Sequence, residues 1–207
     1  MVIYAATSNP GKLREFQGAA PDFEVRAMPV ALPAPDENGD TFEVNATEKA
    51  LAYSKHVVGF LFADDSGLEV DALGGAPGVH SARYAGTAFA DREANDAANN
   101  ALLLERLKGV ANRTARFVCV ISLVCDGRLV KTFRGAVEGR IIDDLRGAGG
   151  FGYDPLFYYE PFGCTFGEAS LEQKANISHR GVALEQMFTH LRNNAASAES
   201  PRLSSRP

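Results

Sequence analysis

Apolar residues open the chain as one dense run. Val2 to Ala6 joins β-branched, aromatic and small residues and reads as a short buried strand. Asn9 can then cap a helix whose first residue is Pro10, where a missing N–H costs nothing. That helix runs through Lys12, Leu13, Glu15 and Phe16 and stops near Gly18 or Pro21. Phe23 to Met28 reads as a second strand. Pro29, Pro33, Pro35, Asp36, Glu37, Asn38, Gly39 and Asp40 then crowd a loop. Thr41 caps the next helix, with Phe42, Ala46, Ala50, Leu51 and Val57 on or near one face. Phe60 to Asp64 is the strand that follows, and it delivers two adjacent carboxylates, Asp64 and Asp65, at its end.

A glycine-rich segment, Gly74 to Gly78, leads to a helix over Asp91 to Leu107, with Ala94, Ala98, Leu102 and Leu103 at helical spacing. Arg116 to Cys125 and Arg128 to Glu138 flank Asp126-Gly127, a dipeptide that closes a two-residue hairpin between β-rich runs. Gly147 to Gly152 is a further glycine-rich loop. Leu171 to Asn176 and Gly181 to Leu191 read as helices. Strands and helices mix without strict alternation, so the expected class is α/β: a mixed twisted sheet with flanking helices and a long hairpin, in two lobes around a central cleft. One domain is expected over residues 1–194, with residues 195–207 a flexible tail.

Bulk properties narrow the partners. Over 207 residues the formal net charge is −5 and no basic run stands out, which argues against a nucleic-acid backbone. No apolar run approaches the ~20 residues that span a bilayer, and the N-terminus lacks the basic start of a signal peptide. The three cysteines, Cys119, Cys125 and Cys164, are too scattered for a disulfide framework, and the first two lie in an apolar strand pattern. A reduced cytoplasm fits these features.

Five groups of residues carry candidate chemistry. Thr7, Ser8, Asn9, Pro10, Gly11 and Lys12 bring a strand to a helix N-terminus, where free N–H groups and a lysine suit a phosphate. It is not a Walker A loop, and the same residues also make an ordinary capped helix with a surface lysine. Asp64-Asp65 is costly to bury without a cation; a hard divalent ion suits such oxygens, whereas Asp-Ser-Gly is also good turn chemistry. Strand alternation sends neighbours to opposite faces, so only one of the pair need reach a metal. Asp36 and Glu37 form a second acidic pair. Phe151, Gly152, Tyr153 and Asp154 put aromatics and a carboxylate in a flexible loop, able to stack on and read a base. Lys174, His179 and Arg180 gather cations near the last helices, and Arg83 is a further candidate.

Taken in order, these motifs resemble the non-standard purine nucleoside triphosphate pyrophosphatases. The resemblance rests on Thr7 to Lys12 with Glu15, Ala63 to Leu68, Gly74 to Gly78 through Ser81 to Gly86, Gly149 to Pro155, and Ser178 to Gly181. It implies an elongated α/β fold with a central cleft, usually a homodimer, and Mg²⁺-dependent cleavage of inosine or xanthosine triphosphates to monophosphate and pyrophosphate; Mn²⁺ is a possible substitute. It implies that Thr7 to Lys12 bind the triphosphate, that Asp65 is general base and metal ligand, and that Ser66 touches substrate. Phe151 to Asp154 would hold the base, with Lys174, His179 and Arg180 completing the pocket. The chain departs where many relatives have Glu-Glu-Thr-Gly: Asp36-Glu37-Asn38-Gly39 leaves open whether Asp36 or Glu37 reaches the metal. Gly167 stands where relatives often have Ala.

Overall fold

The computed structural model describes residues 1–199 except 8, 9, 20, 30, 31, 34, 36, 88, 89 and 176. Ser8, Asn9, Asp36 and the tail from residue 200 therefore lie outside the described residues. Seven strands form one sheet in the order β2-β1-β3-β4-β5-β6-β7. β1 (Val2–Ala5) runs parallel to β2 (Glu24–Ala27) and to β3 (Phe60–Val70). β4 (Thr114–Cys125), β5 (Arg128–Ile141), β6 (Phe157–Tyr159) and β7 (Cys164–Thr165) follow antiparallel. Among the described residues five α-helices flank it: α1 (Pro10–Ala19), α2 (Phe42–Ser54), α3 (Arg92–Arg106), α4 (Leu171–Ala175) and α5 (His179–Glu199). This is the expected mixed α/β architecture.

Local chemistry sets several boundaries. Thr41 caps α2, its hydroxyl accepting from the Val44 N–H at 3.2 Å. Asp91 caps α3 in the same way, through the Ala94 N–H. Asp126 and Gly127 both take positive φ, +47° and +77°, as a type I′ turn between β4 and β5 requires. Two boundaries differ from the sequence reading. β3 does not stop at Asp64: it continues to Val70, paired with β4 along its whole length, so Asp64 and Asp65 stand inside a strand. The turn chemistry of Asp-Ser-Gly yields there to eleven residues of cross-strand pairing. α5 begins at His179, two residues earlier than expected, and its backbone stays helical to Glu199, into the segment read as tail.

Alternation divides the core between the two sheet faces. Phe62, Cys119, Ile121, Leu123 and Phe133 pack with Phe16 of α1 and with Ala183, Leu184, Met187 and Phe188 of α5. On the other face Leu61, Ala63 and Val124 meet Ala50 of α2, while Val118 and Val120 meet Phe42 and Ala46. Farther along the ribbon Leu68, Val70, Phe117 and Val137 pack with Leu103 and Leu107 of α3 and with Tyr153, Leu156 and Phe166. Close contact of backbone on backbone holds α5 down: a Cβ at Gly135 would lie 2.1 Å from the His179 carbonyl oxygen.

β1 accompanies β3 only briefly. Its pairing covers Phe60 to Phe62, and the Ala6 N–H adds one bond to the Phe62 carbonyl. Among the described residues no strand continues beside Asp64 to Leu68, so that stretch of β3 has an open edge, just where the chain turns from β1 into α1.

Candidate active site

Side chains occupy the open edge. The Asp64 carbonyl accepts from Lys49 Nζ at 3.0 Å, the Ser66 N–H donates to Asp65 Oδ1 at 2.9 Å, and the Leu68 N–H donates to Ser81 Oγ at 2.8 Å. These bonds satisfy backbone groups that a neighbouring strand would otherwise take. Gly67 is required here: a Cβ would fall 2.4 Å from Ser81 Oγ and 2.6 Å from the Gly78 carbonyl oxygen.

The paired aspartates separate to opposite faces, as alternation demands. Asp64, 3 % exposed, turns toward α1 and α5. Its Oδ2 accepts from Lys12 Nζ at 2.8 Å and lies 3.5 Å from Arg180 Nε. Burial alone would raise its pKa, but Lys12 and Arg180 overcome that and hold the carboxyl well below the usual carboxylate range. Arg180 is buried too; it donates to Glu15 Oε2 at 2.9 Å and approaches Ser66 Oγ at 3.4 Å. Lys12, Glu15, Asp64 and Arg180 thus form one ionic network binding the first turns of α1 and α5 to β3.

Asp65 turns toward α2. Its Oδ2 accepts from Asn45 Nδ2 at 3.0 Å, while Asn45 Oδ1 accepts from the Gly39 N–H at 2.8 Å. One buried amide therefore ties the acidic loop to the strand carboxylate. Glu37, in that loop, pairs with Lys49 of α2, and its carbonyl accepts from Arg83 Nη2 at 2.8 Å. Burial raises the Asp65 pKa; Asn45 opposes this and the nearby Glu37 charge adds to it. Glu37 and Asp65 thus make a pair of hard oxygen donors, with Lys49 and Arg83 as the cations that now balance them. Among the described residues no group of three or more His, Cys, Asp and Glu is arranged to hold a metal.

Beyond Ser66 a cavity of about 440 Å³ opens on the α5 side of the ribbon, within the range of ligand sites. Ser66, Phe117, Tyr153, Asp154, His179 and Arg180 are among the residues lining it. Phe151 is 57 % exposed, and Arg92 sits 4.7 Å from its ring centre. Tyr153 is buried, with its hydroxyl donating to the Ser81 carbonyl, so it builds the wall. Asp154 accepts from Lys174 Nζ at 3.0 Å and from the Phe151 N–H at 3.1 Å. Burial still raises its pKa, with Lys174 opposing. The His179 ring stacks on Phe117, its centroid 5.3 Å away, and its Nδ1 is buried without a partner. Burial and the adjacent Arg180 charge push the imidazole down to about 3, so it is neutral near pH 7.

The structure thus brings Lys12, Asp65, Ser66, Phe151, Gly152, Tyr153, Asp154, Lys174, His179 and Arg180 around one stretch of β3 and the cavity beside it. Thr7 lies directly after β1, and Pro10 and Gly11 form the start of α1. Asp36 lies outside the described residues; of the acidic pair, Glu37 is described, and it faces the Asp65 side. Arg83 serves the Glu37 loop. Sequence reasoning missed Asn45 and Lys49. Their signal was a polar pair at i and i+4 beside the apolar face of α2.

The profile of the Ham1 family matches residues 3–190. A dITP/XTP pyrophosphatase from Syntrophobacter fumaroxidans is 50 % identical over 191 residues, covering 90 % of this chain and 80 % of that protein. The structure of the Staphylococcus aureus Ham1 protein superposes with a TM-score of 0.83 at 41 % identity, over 94 % of this chain and all of that one. A HAM1 protein from Coxiella burnetii gives 0.84 at 38 % identity, over 93 % of this chain and 99 % of that one.

Proposed function

The chain belongs to the Ham1 family, and from that premise we propose that it hydrolyses non-standard purine nucleoside triphosphates, those of inosine, deoxyinosine and xanthosine, to the monophosphate and pyrophosphate. The observation that carries this reading is the open edge of β3. There Lys12 of α1 and Arg180 of α5 meet Asp64 on one face of the strand while Asp65 faces α2 on the other, beside a cavity of base size. In this reading Lys12 and the α1 N-terminus hold phosphate oxygens, and Ser66 and Arg180 bracket the sugar-phosphate end of the cavity. Phe151 stacks on the base, and Lys174, His179 and Asp154 read its edge. A neutral His179 presents a ring N–H to a base carbonyl without adding charge.

Glu37 and Asp65 would hold Mg²⁺, or Mn²⁺ in its place, because both are hard oxygen donors and the Glu37 charge is near enough to act on Asp65; the substrate's phosphates would add oxygens to the shell. Such an ion supplies charge neutralisation at the phosphates. Asp65, raised toward neutrality by burial, accepts a proton from the water that attacks the α-phosphorus, while Asn45 and the Ser66 N–H orient its two oxygens. No helix among the described residues is long and apolar enough to cross a membrane. The formal net charge of −5 disfavours a nucleic-acid backbone as partner, and a cytoplasmic homodimer is what the family resemblance implies.

Pyrophosphate release from inosine triphosphate and from ATP, each with Mg²⁺ and with chelator, tests the proposal. Metal-dependent release from inosine triphosphate, with little from ATP, supports it. Release from neither overturns it.

A further inference from the structure

Helix α3 carries two polar stripes that the proposed reaction does not use. One stripe, Asn95 and Asn99, faces the Gly78–Arg83 turn: Asn95 Nδ2 donates to the Ala82 carbonyl and Asn99 Oδ1 accepts from the Ala85 N–H, both at 2.8 Å. The other stripe, Arg92, Asp96 and Asn100, faces the glycine-rich loop. Asp96 Oδ2 accepts from the Gly152 N–H at 2.8 Å, and Asn100 Nδ2 donates to the Gly152 carbonyl at 2.9 Å. Two side chains one helical turn apart therefore grip both polar groups of a single backbone residue.

Gly152 is the residue between Phe151 and Tyr153, and it lies two before Asp154. Fixing its backbone fixes the height of the Phe151 ring, over which Arg92 already lies, and the approach of the Asp154 carboxylate. The grip has no evident use as packing. Asn100 is 5 % exposed and its Oδ1 has no partner, so a buried polar atom is left unsatisfied where leucine would fit the apolar side of the helix. Such an expense is expected where geometry matters more than stability.

We propose that Asp96 and Asn100 are positioning residues for base recognition: their grip on Gly152 sets Phe151 and Asp154 at the distance that distinguishes 6-oxopurines from 6-aminopurines. The inference rests on reading the cavity as the base pocket. It predicts an effect on binding rather than on chemistry, because Asp65 belongs to β3 and contacts neither residue.

The test compares Asp96→Ala, Asp96→Asn and Asn100→Leu in steady-state kinetics with inosine triphosphate and ATP, with Phe151→Ala as reference. Asp96→Ala should raise KM for inosine triphosphate roughly tenfold or more, the worth of one charge-assisted hydrogen bond, and Asn100→Leu, which removes a neutral one, roughly fivefold. They should also narrow the preference over ATP and leave kcat within about threefold. Asp96→Asn keeps an acceptor oxygen and should recover most of the KM. Asn100→Leu keeps the branching and heavy-atom count of the side chain, so it reports even if Asp96→Ala folds poorly. A fall in kcat at constant KM, or no change in either, overturns the proposal. If Phe151→Ala raises KM while the α3 variants do not, the grip fails and the base pocket stands. If Phe151→Ala is also silent, the pocket assignment falls with it.

Discussion

Gly135→Ala is the smallest change that should damage both stability and the site. Gly135 lies on β5 beneath the start of α5. An added methyl would sit 2.1 Å from the His179 carbonyl oxygen and 2.7 Å from the Ala183 nitrogen. Both are helix backbone atoms, so no flexible side chain can turn aside, and α5 must retreat by on the order of 1 Å. Gly135 is not among the glycines with positive φ, and alanine would otherwise be neutral or slightly favourable there. The loss is therefore steric. It opens the seam between Cys119, Ile121 and Phe133 on the sheet and Ala183, Leu184 and Met187 on the helix. Overpacking of this kind costs about 1–3 kcal/mol, or roughly 2–12 °C in melting temperature for a chain of this size. The same retreat draws His179 and Arg180 away from the cavity and from Asp64. A displacement near 1 Å in a positioning group costs on the order of 10²-fold in kcat/KM. Thermal melts followed by circular dichroism, with kinetics on inosine triphosphate, check both parts. Gly18→Ala is the control: nothing lies within 4 Å of its added methyl. A Gly135→Ala protein with native melting temperature and native kcat/KM would refute the steric argument.

Asp65→Asn should lower turnover by about 10²–10⁴-fold while nucleotide still binds. It should also lower the melting temperature slightly, because both Asp65 oxygens accept hydrogen bonds and the new amide NH2 would face one of the two donors; near-normal turnover would remove Asp65 from the chemistry. Asn45→Ala unties the Gly39 loop from Asp65 and should weaken Mg²⁺ binding, measured by calorimetry, by about 10–100-fold. Unchanged metal affinity would sink the positioning role. His179 sets an acid limb: its folded pKa, pushed down to about 3, lies below its unfolded value near 6.5. The unfolded chain therefore binds a proton that the folded one refuses, and stability falls as pH drops from about 6.5 toward 3 and is flat above. By pH 5 the loss is about 2 kcal/mol. Urea melts at pH 7 and 5 should show it, and His179→Gln should abolish it.

Much of this was legible where local chemistry decides. The Thr41 cap, the Asp126-Gly127 turn and the buried β1 run follow from residues that interact with near neighbours. The end of β3 was misread because Asp-Ser-Gly favours a turn locally, whereas the register against β4 is set by residues some fifty positions away. That misplacement did not spoil the inference that the two aspartates diverge, since alternation holds wherever the strand ends. The roles of Asn45, Lys49 and Asp96 were hidden for another reason. Each is an ordinary polar residue on a helix, and its meaning comes from a loop or strand that only the tertiary fold brings near.

The division of Asp64 from Asp65 across β3 also bears on which genetic changes the site can survive. Losing one codon between Leu61 and Ala63 would leave the Asp-Asp-Ser-Gly string untouched on the page. If the downstream part of β3 slipped by one place against its neighbours, every side chain after the deletion would change face. Asp65 would then stand in the place of Asp64, facing Lys12 and Arg180, and Ser66 would stand beside Asn45 in the place of Asp65. A reader of motifs would see an intact enzyme, while the protein would hold its acid in the anchor's place and a hydroxyl in the acid's.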